Sequence, residues 1–350
     1  MLKKLSVRNF TVFAAADLEC AAGLNVIVGG NGTGKSHLLK LAYTVLATLA
    51  EGERGSGSDD PTKGYLATAL ARKLTGVFRP DQLGRLASRQ QGRSRCEVKA
   101  SFKDRGLDTG FSFNSSSKTE VSVDRVPDNW SDKKPVFLPT RELLTIAPGF
   151  AALYANSQLK FEETWRDTCE LLEVPLARGP RLETIKPLLE PLEEQLGGKV
   201  VEGTSGGFYL KTADGTLEAH LLAEGVRKLA MLARLIASGS LTGKGCLFWD
   251  EPEANLNPKV VKKVAVTILQ LCQAGVQVFV ATHSLFLMRE LDLLLKQEEF
   301  KGVAARFTGL HPADDGVRVD QGATVDEIGE IDALQEELSQ SDRYLAAEAD

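Results

Sequence analysis

The eight residues GGNGTGKS, 29–36, constrain this chain more than any other stretch. They fit G-x-x-x-x-G-K-[ST] and stand between a short apolar run, GLNVIVGG, and a segment of helical periodicity, KSHLLKLAYTVLATLA (35–50). A buried strand must therefore pass through a glycine-rich turn straight into a helix. Glycines let the backbone N–H groups turn toward phosphate oxygens, and the helix N-terminus adds favourable potential. In such a loop Asn31, Gly32, Thr33 and Gly34 form the cradle, Lys35 reaches the β- and γ-phosphates of ATP, and the Ser36 hydroxyl is placed for Mg²⁺. A chance match in a chain of this length arises roughly once in a hundred, so the loop is read as a nucleotide site. His37, just inside the helix, is read as a surface or capping residue.

Two later stretches supply what a phosphate loop needs for hydrolysis. GCLFWDEPEANLNP (245–258) ends an apolar run on Asp250 and follows it with Glu251. One carboxylate, Asp250, holds Mg²⁺; the other, Glu251, orients and deprotonates the attacking water. VQVFVATHS (276–284) places His283 at the end of a further apolar run, one helix later, where an imidazole can sense the γ-phosphate. Between loop and acidic pair lies LLAEGVRKLA (221–230), whose Leu221, Leu222, Val226, Leu229, Leu232 and Leu235 keep helical spacing.

The order GGNGTGKS, LLAEGVRKLA, CLFWDEPEANLNP, VFVATHS resembles the ABC class of ATPases, and within it the soluble branch of SMC and RecF-like heads and OLD-type ATPases of phage defence. The opening LSVRNFTVF…GLNVIVGGNGTGKSHLL is especially similar to that branch. The resemblance frames residues 1–50 and about 200–290 and leaves 51–199 unexplained. It implies an α/β P-loop NTPase of the ABC-ATPase head type that dimerises head-to-tail, each ATP lying between one subunit's loop and the other's signature helix. Ala223, Glu224, Gly225 and Arg227 then form the trans-acting signature, with Ala223 in place of the usual serine. Glu224 adds negative charge where phosphate should dock, which is tolerable if it turns away or pairs with Arg227 or Lys228. The resemblance also puts Thr140 and Arg141, in FLPTRELL (137–144), where the lobes are linked, and puts Arg8, Asn9 and Phe10 at the border of the nucleotide.

For the rest, 51–64 (EGERGSGSDDPTKG) reads as a loop, 65–90 as helical, 95–124 as antiparallel strands, 140–197 as mostly helical and 323–340 as a charged helix. The expected domains are an ATP-binding core lobe of 1–50 plus 198–350, an insertion at 51–135 with the basic segment and a β part, and a helical lobe at 136–197. Five scattered cysteines without a CxxC, no long apolar run and no secretory N-terminus argue for a cytoplasmic protein and against a membrane role.

The net charge of −5 hides an asymmetry: 71–105 holds ten Lys/Arg against three Asp/Glu, and 314–350 two against twelve. A basic patch of that kind offers Arg85, Arg89, Arg93 and Arg95 to nucleic acid. The leading expectation is an ATP-driven dimeric switch regulating a separate effector, such as a nuclease or toxin, in phage defence. The alternatives are a DNA-repair or recombination ATPase that binds DNA directly and, less favoured, the nucleotide-binding subunit of a transporter.

Overall fold

The computed structural model describes residues 1–349 except 89–93, 157–158, 204–205 and 243–244. Arg89 and Arg93 of the basic segment lie outside the described residues. The chain opens with β1 (Leu2–Phe10), β2 (Phe13–Glu19) and β3 (Leu24–Gly29), then α1 (Lys35–Ser56) and α2 (Lys63–Phe78). Next come β4 (Arg95–Phe102), β5 (Thr109–Asn114), β6 (Ser122–Arg125) and β7 (Val136–Leu138). A helical stretch follows: α3 (Phe150–Asn156), α4 (Glu163–Leu172) and α5 (Pro180–Leu196). A small antiparallel sheet of β8 (Gly198–Glu202), β9 (Phe208–Thr212) and β10 (Thr216–Glu218) leads to α6 (Glu224–Ala237). The remainder is β11 (Cys246–Asp250), α7 (Pro258–Gln273), β12 (Gln277–Thr282), α8 (Leu285–Leu295), β13 (Ala305–Ala313), β14 (Gly316–Gly322) and α9 (Asp332–Ala349).

The central sheet runs β14-β13-β3-β12-β11-β7 and is parallel except for β14. Its inner strands are buried on both faces, as parallel strands with helices on each side must be. Side-chain alternation splits them between two cores. Leu24, Val26 and Val28 of β3 face the core containing Leu138, Trp249, Val280 and the apolar faces of α5 to α8. Ile27, with Phe137, Phe248, Phe279 and Ala281, faces the core of α1, α2 and the antiparallel sheet.

That antiparallel sheet, β2-β1-β4-β5-β6, differs from the expected layout. β4 pairs along β1, with Val7 opposite Val98, so 95–125 completes a sheet begun by the first twenty residues and is no separate insertion. The alternation of RCEVKASF announces a strand, but not that its partner lies some ninety residues upstream.

A second difference concerns 51–56, which continue α1 rather than starting a loop. Glu51 pairs with Lys73 of α2 at 2.8 Å, and Gly52 lies directly under the Trp130 ring, where a Cβ would collide. Tertiary contact overrides weak local propensity there. The helix stops at Gly57 with φ 64°, a left-handed cap. Similarly α2 ends at Phe78 on a left-handed Arg79, short of the expected 90. Among the described residues no helix is long and apolar enough to cross a membrane.

Candidate functional site

Ligands in parallel α/β sheets bind beyond the carboxyl ends of the strands, and there the structure gathers the sequence-predicted residues. β3 ends in the glycine loop, β11 in Asp250 and β12 in Thr282, followed by His283. The loop is held open by its glycines: Gly32 and Gly34 have φ of 81° and 89°. A Cβ on Gly34 would also lie 2.7 Å from the Phe13 ring and from Val12 Cγ2, so the loop is seated on the start of β2. Thr33 Oγ1 donates to the Gly30 carbonyl at 2.9 Å, closing the turn, and Asn31 at its tip is exposed. The Lys35 ammonium folds over the loop and donates to the Gly29 and Gly30 carbonyls at 2.8 and 3.0 Å. Burial lowers its pKa, against the pull of Glu251, Asp250 and Glu253.

Asp250 is buried, and burial raises its pKa against a hydrogen bond from the Ser36 hydroxyl. Its Oδ1 has no hydrogen-bond partner among the described residues. A buried carboxylate with an unspent oxygen, beside a hydroxyl at the foot of a phosphate loop, is the hard oxygen donor set that suits Mg²⁺. Glu251 follows in a left-handed conformation, φ 48°, with its N–H bonded to the Ala281 carbonyl at 2.9 Å. Its Oε1 lies 3.0 Å from His283 Nδ1, so the expected base and the expected sensor form one contacting pair.

The remaining residues divide. Ala223 is the N-cap of α6 and offers no side-chain cap. Glu224 pairs with neither Arg227 nor Lys228: it turns aside to accept from Asn255 Nδ2 at 2.9 Å. Arg227 Nε is 3.0 Å from Glu142 Oε1, an ionic contact in which the N–H is not aimed at the oxygen. Gly225 is needed within its own subunit, since a Cβ there would lie 3.0 Å from the Asn255 carbonyl oxygen and Leu256 Cδ2.

In the segment after β7, Thr140 and Arg141 make no side-chain hydrogen bond among the described residues; the contact to α6 comes from Glu142, which also caps Thr145. Phe10 is wholly buried, edge-on to the Phe78 ring that also packs on His37, and Arg8 bonds Asp17 at 2.6 Å. The segment that does back the loop is the adjoining Val12 and Phe13. His37 is partly buried, its Nδ1 3.0 Å from Thr11 Oγ1, and so is neither a surface nor a capping residue. Burial and the nearby Lys40 lower its pKa.

Sequence reasoning passed over two buried groups behind the acidic pair. Lys228, 2% exposed, donates to the carbonyls of Glu251 and Ala254 at 2.8 and 3.2 Å. Glu253 accepts from the Thr282 hydroxyl at 2.5 Å, and burial raises its pKa. The available signal was a lysine directly beside the apolar stripe of α6, where an aliphatic residue would be expected.

Comparison with known proteins agrees with this geometry. Residues 24–289 match the family described as "AAA domain, putative AbiEii toxin, Type IV TA system". The chain is 25% identical over 340 residues to the DNA replication and repair protein RecF of Proteus mirabilis (strain HI4320), covering 77% of this chain and 91% of that protein. It is 48% identical over 44 residues to the RecF of Photorhabdus laumondii, a match spanning only 12% of that protein's length.

Among solved structures, an Smc head bound to the C-terminal winged-helix domain of ScpA superposes with a TM-score of 0.58 at 15% identity, over 93% of this chain and 98% of that one. An Smc head with an extended coiled coil, bound to a ScpA domain derived from Pyrococcus furiosus, gives a TM-score of 0.50 at 13% identity, over 100% and 99%. The fold is thus that of an SMC-type ABC-ATPase head, and with the matched span covering more than half of its residues, the chain belongs to this AAA-domain family.

Proposed function

We propose that the chain hydrolyses ATP with Mg²⁺ and that two copies close head-to-tail around two nucleotides. The observation that carries this is the meeting of Ser36, Asp250, Glu251 and His283 at the carboxyl edge of one parallel sheet, beside the glycine loop. Lys35, held over the loop by two carbonyls, would exchange those acceptors for β/γ-phosphate oxygens when nucleotide binds. Glu251 takes the proton of the attacking water, while His283, bonded to the same carboxylate, fixes its rotamer and reaches toward the terminal phosphate. Ser36 and Asp250 Oδ1 are the groups that would hold Mg²⁺, which supplies neutralisation of the charge developing on the phosphate oxygens.

For the partner's nucleotide, α6 presents an N-terminus with no side-chain cap and with the Glu224 carboxylate drawn aside onto Asn255. That turns the carboxylate away from the helix start, which eases the electrostatic objection to Ala223 and Glu224 at a phosphate-binding N-terminus. Glu251→Gln should keep ATP binding, lower hydrolysis at least about a hundredfold, in the range expected for loss of a positioned base, and accumulate an ATP-dependent dimer on a sizing column. A variant that stays monomeric with bound ATP would sink the head-to-tail mechanism.

We further propose that the nucleotide-driven dimer acts as a switch on a separate effector protein, as in phage defence. Among the described residues of the 71–105 basic segment, Lys73 is withdrawn into the interior and two arginines have partners within the chain, which lends support to that use over direct nucleic-acid binding. Lys73 is buried among three carboxylates, Arg79 donates to the Leu159 carbonyl, and Arg95 lies 3.4 Å from Asp124. The second reading, an ATPase that binds DNA itself, is favoured by the RecF relatives and rests on exposed residues such as Arg85. It predicts DNA affinity that falls steeply with salt.

A further inference from the structure

Glu251 has an unusual backbone. Outside glycine, a left-handed residue is strained, and it persists only where its surroundings hold it. Here both flanking peptides are tied. On one side its N–H is bonded to the Ala281 carbonyl of β12. On the other, its carbonyl accepts from the Ala254 N–H at 3.1 Å, closing a tight turn, and from Lys228 Nζ at 2.8 Å. Lys228 also takes the Ala254 carbonyl at 3.2 Å, so a single ammonium bridges the two ends of the Glu251–Ala254 turn. With both peptide planes fixed, the Cα–Cβ direction is fixed, and that direction carries the carboxylate to His283.

The choice of lysine needs a reason. Lys228 sits on α6 between Arg227 and a run of fully buried apolar residues, Leu229 to Ala233. Burying an ammonium strips it of its hydration, and methionine would fill the space without that cost. What lysine adds is donors for two backbone oxygens that no apolar side chain can satisfy. Building on the reading of Glu251 as the base, we propose that Lys228 is a positioning residue for hydrolysis: it acts through the backbone of Glu251, holding the left-handed turn that aims the carboxylate, and touches neither nucleotide nor water.

The test uses the full chain with Lys228→Met, Lys228→Arg, Glu251→Gln and the double variant Lys228→Met/Glu251→Gln. ATP affinity, KM and kcat are measured, with a melting curve for each. Lys228→Met should leave ATP affinity and KM within about twofold and lower kcat ten- to a hundredfold, of the size seen when a catalytic group is displaced by a small distance. Lys228→Arg, which restores donors, should recover part of the rate. In the Glu251→Gln background, Lys228→Met should cost less than twofold more, because the group it aims is gone.

A Lys228→Met kcat within twofold of wild type overturns the proposal, as does a loss that multiplies in full on Glu251→Gln. If Lys228→Met fails to fold, Lys228→Gln, whose neutral amide has two N–H donors on a shorter stem and so weakens the double hold on the carbonyls, carries the same comparison. Wild-type turnover by Glu251→Gln would instead show that the base itself is misassigned and would take both readings down. An inactive Glu251→Gln beside a fully active Lys228→Met removes the tether alone.

Discussion

Lys73 and Lys228 are 3% and 2% exposed, and each ammonium makes short polar contacts, but the partners differ in kind. Lys73, on α2, faces Glu51 of α1 and Glu163 and Asp167 of α4 at 2.8, 3.0 and 2.9 Å. Tyr43 of α1 donates to the same Asp167, Arg166 binds both α4 carboxylates, and Lys40 reaches Glu162. This hub joins the helix that begins at the phosphate loop to the helical stretch beyond β7. Lys228 has no carboxylate within bonding distance among the described residues; it holds two carbonyls.

The electrostatic consequence follows directly. Desolvation works against the charge of both lysines. At Lys73 the attraction of Asp167, Glu163 and Glu51 outweighs it, and the pKa rises above the ordinary lysine value. At Lys228 burial prevails over the more distant Glu253, Glu251, Glu224 and Asp250, and the pKa falls to about 8. One cation is there because three anions surround it. The other is there at a cost, which is why a role in geometry rather than in stability suits it.

The sharpest way to break the contrast is to remove each ammonium while keeping the stem. Lys73→Met leaves three carboxylates facing one another and should lower unfolding stability by about 3–5 kcal/mol, as breaking a buried pair does. Chemical denaturation measures it, and a loss below about 1 kcal/mol would mean that the hub is a solvated surface cluster. Lys228→Met should change stability by only about 1 kcal/mol in either direction.

A smaller effect separates the two by pH. For Lys228 the folded pKa lies below the unfolded one, so between about pH 8 and the ordinary lysine range unfolding takes up a proton. Wild type should therefore gain stability relative to Lys228→Met as pH rises through that window, with a slope of at most about 1.4 kcal/mol per pH unit. For Lys73 the folded pKa is the higher, so its contribution is fully present below the ordinary lysine value and shows no slope in that window. Equal slopes for the two variants would erase the distinction. The smallest effect belongs to the exposed tether: Asn255→Gly, which tolerates the left-handed backbone at this position (φ 63°), removes one hydrogen bond to Glu224 and should cost about 0.5–1 kcal/mol or less. It also frees the Glu224 carboxylate at the start of α6, so a reduced dimer yield in the Glu251→Gln background should accompany it.

The parts of the molecule readable in sequence are those whose cause is local. GGNGTGKS is legible because a strand, a glycine turn and a helix follow one another within a few residues, and Asp250 and His283 because each ends an apolar run. The pairing of β4 with β1, the continuation of α1 under Trp130 and the link from Glu142 to Arg227 join residues tens of positions apart. No periodicity encodes those partners. The basic segment shows the same limit: composition counts Lys73 as a surface cation, while only the packing of three helices reveals that it is interior. The family resemblance placed Phe10 at the border of the nucleotide; strand alternation packs its ring inward against Phe78, a contact the resemblance did not carry.

One feature of β3 reaches beyond the site. Its alternate side chains serve both cores, Val26 and Val28 on one side and Ile27 on the other, and its last residue, Gly29, opens the phosphate loop. A strand read on both faces works as an index mark. A single-residue insertion or deletion within 24–28 would exchange the occupants of two packed interiors at once and shift the loop's starting point by one step. The placement of the loop is thereby under the control of residues that never approach a phosphate, and drift in this strand should be far less tolerated than drift of equal size in β14 at the sheet's edge.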